Sequence, residues 1–244
     1  MARIDLHCYL GTTPDTRALS APDAAAAKAY AEQGQFEALC FSAPLASFDL
    51  VGGNSYLAEQ TRGDKRFRAW MTASIHRPEL SGDLARLYLV KPRFCGALIE
   101  QKTDGDLITS QGGRDVLNAL RRYSRPVMVT VSTPANLEAV VIAAREFSTL
   151  KFAISPQTVE LTRVAATAIK EVVNTVFVPV VSYAERDVIA GAMQTLGERR
   201  VAWSSGWGRF SPVAALGMAR DSTISASQQE RFTYKTASEL LVEM

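Results

Sequence analysis

Histidine and cysteine are scarce in this chain of 244 residues. Its two histidines are His7 and His76, so a metal site that needs three imidazoles is excluded. Its three cysteines, Cys8, Cys40 and Cys95, are odd in number, lie far apart and include no C-x-x-C pair. This usage argues against both a disulfide framework and a thiolate zinc site, because each needs paired cysteines. A reducing environment fits it best, and we expect a cytoplasmic protein.

Long apolar runs and clusters of charge of one sign are also missing. No apolar run approaches the roughly 20 residues that span a bilayer, and the first residues lack the pattern of a secretory signal. Lysine and arginine total 27 against 25 for aspartate and glutamate, which gives a net charge of +2. The basic residues are scattered, so no stripe is available to a phosphate backbone. We therefore expect no membrane and no nucleic-acid partner, but a small-molecule ligand, and the composition is compatible with a homo-oligomer.

What the sequence does contain is a regular alternation of short apolar runs with amphipathic stretches. The runs predict eight strands, over Ala2–Cys8, Glu37–Ser42, Arg68–Ile75, Gly96–Gln101, Pro126–Val131, Lys151–Ser155, Thr175–Ser182 and Arg200–Ser205. Eight such units predict an α/β protein with a single (β/α)8 TIM barrel domain over residues 1–244, although the count alone also allows an open doubly wound sheet. In such barrels the functional side chains lie at the carboxyl ends of the strands.

Five segments at these strands carry a family resemblance. They are IDLHCYLG at the first strand, FCGALIE at the fourth, RPVMVTVS at the fifth, STLKFAISP at the sixth and LGERRVAWSSGWG at the eighth. They are similar, in order, to I-D-x-H-x-H, G-(V/I)-K-L, P-V-x-(I/V)-H, a sixth strand that ends in histidine, and L-G-x-(D/E)-R-(V/I)-L-F-G-S-D-(W/Y)-P. The chain thereby resembles the amidohydrolase-related family of metal-dependent TIM-barrel hydrolases and decarboxylases. The resemblance runs nearly from end to end and implies an amidohydrolase-like barrel.

Most metal-binding positions of that family are replaced in this chain. His7 matches the first histidine of the opening pair, but Tyr9 stands at the second. Two further histidine positions and the aspartate position hold Thr130, Ser155 and Gly206. A catalytic zinc ion takes about three protein ligands and keeps one position open. A single imidazole does not provide that set, so we expect no metal and no cofactor.

Two ionisable residues remain as candidates for catalysis. We predict that His7 is a general acid or base, because imidazole titrates near neutral pH, and that Glu100 is its partner. The other interpretations are a hydrogen-bonded core histidine and a salt bridge from Glu100 to Lys102. Substrate contacts are predicted for hydroxyl and aromatic side chains at the strand ends, namely Tyr9, Thr130, Ser155, Ser205 and Trp207.

Three functions compete. The residues favour a metal-independent hydrolase or lyase that acts on a small polar molecule at the carboxyl-terminal mouth of the barrel. The alternative is a non-catalytic protein that binds a small molecule or a protein partner, and the replaced metal ligands favour it. A conventional metal-dependent hydrolase is supported by the overall resemblance but opposed by the residues at the site. The sequence leaves open whether His76, after the third strand, reaches the mouth.

Overall fold

The computed structural model describes residues 2–12, 22–180, 185 and 187–241, which form an α/β structure built on one parallel sheet. Seven strands lie in sequence order across this sheet, each parallel to the next. They are β1 (Arg3–Tyr9), β2 (Phe36–Ser42), β3 (Phe67–Ala73), β4 (Phe94–Gln101), β5 (Val127–Val131), β6 (Phe152–Pro156) and β7 (Thr175–Phe177). Seven of the eight predicted strands are thus confirmed. The seventh is shorter than predicted, because β7 ends at Phe177 and residues 178–180 do not continue it, while residues 181 and 182 lie outside the described residues.

Helices connect the strands and cover the outside of the sheet. They are α1 (Ala24–Gln33), α2 (Leu50–Gln60), α3 (Pro78–Tyr88), α4 (Gln111–Leu120), α5 (Pro134–Glu146), α6 (Val159–Ala168), α7 (Val188–Leu196), α8 (Pro212–Asp221), α9 (Ala226–Glu230) and α10 (Thr236–Leu241). A π-helical turn, Arg231–Lys235, joins the last two. Several begin at a side chain that accepts a backbone N–H, as Asp23 does from Ala26 at 2.8 Å, which satisfies an otherwise unpaired donor. None of the helices in the described part of the chain is long and apolar enough to cross a membrane.

Residues 201–206, which we call the closing segment, take the place of the predicted eighth strand. On the β7 side the segment makes two isolated parallel bridges, and on the β1 side the Gly206 amide donates to the His7 carbonyl oxygen at 3.0 Å. The amide of Trp203 donates instead to the carbonyl oxygen of Phe232, in the π-helical turn, at 3.0 Å. Because this amide does not donate to a neighbouring strand, the ladder of hydrogen bonds between parallel strands is interrupted at Trp203. The eighth predicted strand is therefore not a regular strand in the described structure, although its segment contacts both β7 and β1.

A small apolar cluster lies inside the curved sheet. Trp70 of β3 marks this interior, because its indole Nε1 reaches past β2 and donates to the Leu6 carbonyl oxygen of β1 at 2.7 Å. The cluster contains buried side chains from β1 to β6 and from the residue that follows β7, including Leu6, Cys40, Trp70, Leu98, Met128, Ala153 and Val178. Side chains two residues further along a strand point to the same face. On five strands, the side chain two residues closer to the carboxyl end is polar. We call this layer of inward-facing side chains the polar level, and it contains Ser42, Thr72, Glu100, Thr130 and Ser155.

Candidate active site at the carboxyl ends of the strands

Three of the predicted site residues stand side by side in the polar level. Glu100 on β4 is in register with Thr130 on β5, and Thr130 is in register with Ser155 on β6. Thr130 and Ser155 are buried, and the Ser155 hydroxyl accepts a hydrogen bond from the Gln157 side-chain amide at 3.2 Å. The structure therefore brings these three residues together on the inner face of the sheet.

His7 lies beneath the surface on β1. It is fully buried, its Nε2 is 2.9 Å from the Ser42 hydroxyl, and its ring centre is 4.7 Å from that of Tyr9. Its Nδ1 has no hydrogen-bond partner among the described residues. Burial and then the Arg209 charge lower the pKa of His7 to about 4, although the Glu100 charge opposes them. The imidazole is therefore neutral at neutral pH.

Glu100 is held in place by two neighbours. Its Oε2 accepts hydrogen bonds from the Ser47 hydroxyl at 2.5 Å and from the Lys102 ammonium at 3.1 Å. Burial acts to raise the pKa of Glu100, but the Lys102 charge and the two hydrogen bonds outweigh it, so the pKa lies below its usual value. The side chain is 15% exposed and is ionised at neutral pH. The salt bridge to Lys102, one of the two interpretations of this residue, is present.

Arg209 is a site residue that the sequence analysis missed. Its guanidinium carbon lies 4.1 Å from the centre of the Tyr9 ring, and its Nη1 donates to the Tyr9 hydroxyl at 3.3 Å. It forms no ion pair with any residue in the described ranges, and its buried Nε has no hydrogen-bond partner there. Tyr9, which was predicted to contact substrate, therefore makes a cation–π contact with Arg209. No periodic pattern in the sequence could have found this contact, because Arg209 lies in a loop.

A pocket of about 200 Å³ opens beside Glu100, and we call it the mouth pocket. It lies where β3 and β4 end. Its polar wall is made of His76, Arg77, Glu100, Lys102 and Asp106, and its apolar side includes Phe48, Leu50 and Ile75. His7 is not among the residues that line it. The mouth pocket is therefore polar on one side, and a molecule bound in it would contact Glu100 rather than His7.

His76 does reach this pocket, which answers the question that the sequence left open. Its Nε2 is 2.8 Å from Asp106 Oδ1. The other carboxylate oxygen, Oδ2, accepts from the amides of Lys102 at 3.2 Å and Thr103 at 2.9 Å, and from the Thr103 hydroxyl at 2.9 Å. Burial acts to raise the pKa of Asp106, but these hydrogen bonds, that of His76 first, bring it below its usual value. An ionised Asp106 therefore holds His76.

The side chains of Ser205 and Trp207 lie apart from the polar level, although the Tyr9 amide donates to the Trp207 carbonyl oxygen at 2.7 Å. Ser205 is fully buried and donates both its amide, at 3.0 Å, and its hydroxyl to the buried carboxylate of Asp5. The Trp207 ring stacks on Tyr30 of α1 with ring centres 4.9 Å apart. Neighbouring residues point to opposite faces of a strand, and it is Ser204 that donates to the His7 carbonyl oxygen, at 3.3 Å. Ser205 and Trp207 thus pack outside the sheet, against α1.

The strand ends do not fit the metal that the family resemblance implies. The family's aspartate position holds Gly206, whose φ is +63°, a conformation that residues with side chains rarely adopt. A Cβ added there would lie 2.6 Å from the Phe210 ring and 3.0 Å from a methyl group of Val180. In the described ranges, no three His, Cys, Asp or Glu side chains are grouped so that they could hold an ion. Among the described residues, the side chains at the strand ends therefore do not offer the set of about three ligands that a catalytic zinc ion takes.

Solved structures share this fold. The 5-carboxyvanillate decarboxylase of Novosphingobium aromaticivorans, complexed with manganese, matches with a TM-score of 0.79 and 13% identity, over 99% of this chain and 96% of that chain. The manganese-bound dihydroxybenzoic acid decarboxylase of Polaromonas sp. JS666 gives 0.77 and 14%, over 99% and 97%. A Staphylococcus aureus protein assigned as an amidohydrolase gives 0.73 and 11%, over 99% and 100%. No protein-family model matches the sequence, and no curated protein is significantly similar to it. At these identities the similarity shows the fold, and at that level it confirms the resemblance to the amidohydrolase-related family.

Proposed function

We propose that this protein is a metal-independent hydrolase or lyase that acts on a small polar molecule in the mouth pocket. The observation that carries the proposal is the Glu100–Lys102 ion pair, 3.1 Å between oxygen and nitrogen, at a pocket of about 200 Å³. A carboxylate can accept a proton, and an ammonium can stabilise a developing negative charge. Both groups stand at the carboxyl end of a strand, where barrels of this architecture carry their reactions.

Five of the predicted residues take a role in this proposal, and Ser205 and Trp207 take none. Glu100 accepts a proton or a hydrogen bond from the substrate, since its carboxylate is ionised and faces the pocket. Thr130 and Ser155 do not line the pocket, and their role is to continue the polar level beside Glu100 on the neighbouring strands. His7 is a positioning residue that holds Ser42 through its neutral imidazole. Tyr9 contributes its ring as the support for Arg209.

The fold supports the class of reaction. The decarboxylases that share it are lyases, and the Staphylococcus aureus protein is assigned as an amidohydrolase. We propose further that the closing segment completes an eight-unit barrel around the polar level, since it contacts both β1 and β7.

A non-catalytic binding protein is the second candidate. It is favoured by the satisfied state of Glu100, whose carboxylate already accepts from Ser47 and Lys102. A carboxylate that already accepts hydrogen bonds from two neighbours can recognise a ligand without transferring a proton to or from it.

The test combines metal analysis with a substrate screen. Protein purified without chelator is analysed for manganese and zinc, and then incubated with panels of small esters, amides and carboxylic acids. We expect metal-free protein to turn over at least one compound, and Glu100→Gln to lower kcat/KM about 100-fold, the usual scale for loss of an acid–base group. The matched control is Glu146→Gln, which removes a carboxylate from the exposed ion pair with Arg114, 3.0 Å long, and should leave the rate unchanged.

Two results would redirect the proposal. Turnover that requires a stoichiometric manganese or zinc ion would favour the conventional metal-dependent hydrolase. Saturable binding that Glu100→Gln weakens, without turnover of any bound compound by the parent, would favour the binding protein.

A further inference from the structure

The mouth pocket holds a second pair of groups, His76 and Asp106, on the loops after β3 and β4. We propose that His76, oriented by Asp106, transfers the proton in this pocket, and that the reaction is hydrolysis of a small uncharged acyl compound. The inference rests on the proposed function for its location, and it adds the base and the substrate class. Neither residue was predicted as part of the site.

The hydrogen bonds around Asp106 determine which nitrogen of His76 is free. Asp106 Oδ2 accepts from two backbone amides and the Thr103 hydroxyl, which fixes the plane of the carboxylate. Oδ1 is thereby aimed at His76 Nε2, 2.8 Å away. An ionised carboxylate only accepts hydrogen bonds, so Nε2 must carry the hydrogen. In the neutral imidazole Nδ1 is then the unprotonated nitrogen, and it is available as a base.

The other groups of the pocket suit an uncharged substrate. Two carboxylates, Glu100 and Asp106, face two cations, Lys102 and Arg77, so the charges around His76 balance. Thr72 also lines the pocket, but its hydroxyl oxygen is buried behind the pocket wall and has no hydrogen-bond partner among the described residues. A carbonyl compound without net charge suits a pocket whose charges balance.

The reaction balances without a metal or a redox partner. His76 Nδ1 takes a proton from water while the water oxygen forms a bond to the acyl carbon. The negative charge that develops on the carbonyl oxygen is stabilised by the Lys102 ammonium, which lies in the same pocket. The bond from the acyl carbon to the leaving oxygen then breaks, and Nδ1 returns its proton to that oxygen. The products are a carboxylic acid and an alcohol, and Asp106 stays ionised throughout.

The scarcity of histidine makes this inference easy to test. His7 is fully buried, whereas the side chain of His76 is 67% exposed. Diethyl pyrocarbonate acylates unprotonated imidazole nitrogen that is accessible to solvent, so peptide mapping of the treated protein should find the label on His76 and not on His7. Asp106→Asn should slow the labelling, because an amide NH2 that faces Nε2 favours the other tautomer. Asp104→Asn, an exposed position in the same loop, is the matched control and should not slow it.

The activity probe is 4-nitrophenyl acetate. We expect the parent to hydrolyse it, His76→Gln to lower kcat/KM about 100-fold, and Asp106→Asn to lower kcat with KM nearly unchanged, as loss of orientation alone requires. Thermal melting of each variant checks that it is folded. The inference is overturned if the parent is no faster than folded His76→Gln, or if Asp106→Asn behaves as Asp104→Asn does in both assays.

Two results separate this inference from the proposed function. If Glu100→Gln loses activity and His76→Gln does not, the inference fails and the proposed function stands. If removal of metal abolishes activity, the proposed function itself fails.

Discussion

Replacing Asp5 by alanine tests the buried carboxylate that joins β1, α1 and the closing segment. Asp5 is fully buried and accepts hydrogen bonds from the Ser205 amide at 3.0 Å, from the Ser205 hydroxyl, and from the Tyr30 hydroxyl at 3.0 Å. Alanine removes their acceptor, and each buried donor left unsatisfied costs about 1–3 kcal/mol. The hydroxyls can rotate toward other partners, and removal of a buried charge offsets part of the loss. We therefore expect the free energy of unfolding to fall by about 2–4 kcal/mol.

The same residue gives a pH dependence whose sign is fixed. Burial raises the pKa of Asp5 in the folded state, although hydrogen bonds from Ser205, Cys8 and Tyr30 oppose it. A folded state with a raised carboxyl pKa binds the proton more tightly than the unfolded state does. This contribution to stability is fully present below the unfolded value of 3.8 and is lost as the pH rises through the folded pKa. Asp5→Asn, which does not titrate, should lack this fall.

Urea unfolding, followed by tryptophan fluorescence at several pH values, measures both effects. Asp83→Ala is the control, because Asp83 is 61% exposed and its ion pair with Arg86 lies on the surface. It should change the free energy of unfolding by less than about 0.5 kcal/mol. An Asp5→Ala protein as stable as this control would refute the argument that the buried carboxylate satisfies the donors around it.

Two further predictions concern the closing segment and the loop after it. Gly206→Asp should destabilise the protein by about 1–3 kcal/mol, because its Cβ would lie 2.6 Å from the Phe210 ring. For the same reason it should not create a metal site. A melting temperature of this variant that rises when manganese is added would contradict the prediction. Arg209→Ala should raise the pKa of His7 from about 4, because the Arg209 charge helps to lower it, but not to the usual 6.5, because burial is the larger cause. Proton NMR titration of the two histidines measures the change, and a lower pKa would show that the charge effect is assigned with the wrong sign.

The strands could be predicted because burial on both faces leaves a continuous apolar run. The run that predicts a strand over Pro126–Val131, for example, forms β5 over Val127–Val131, and every residue of it is buried. Thr130 and Ser155, which the sequence offers as hydroxyls at strand ends, stand side by side with Glu100 because β4, β5 and β6 pair without a register shift. Regular strands therefore carry the part of the site that the sequence predicts.

The rest of the site depends on irregular backbone, where the period of two fails. The pairing of β1 with β2 shifts register between Asp5 and Cys8, and the closing segment is interrupted where the Trp203 amide is diverted. The face of Ser205 therefore could not be counted from the sequence. The contact between His76 and Asp106 joins residues 30 apart on two loops, and it depends on the turn that holds Asp106. Nothing in the spacing of these residues predicts that turn.

The closing segment has a consequence for how the chain is made. Asp5 and Ser205, which it joins, are 200 residues apart. At a synthesis rate of about 5–20 residues per second, β1 leaves the ribosome about 10–40 s before the closing segment, its second neighbour, has been synthesised. During this time one edge of β1 has unpaired N–H and C=O groups that another strand could bind. The nascent chain therefore carries an open sheet edge for most of its synthesis, and the seam between β1 and the closing segment forms last.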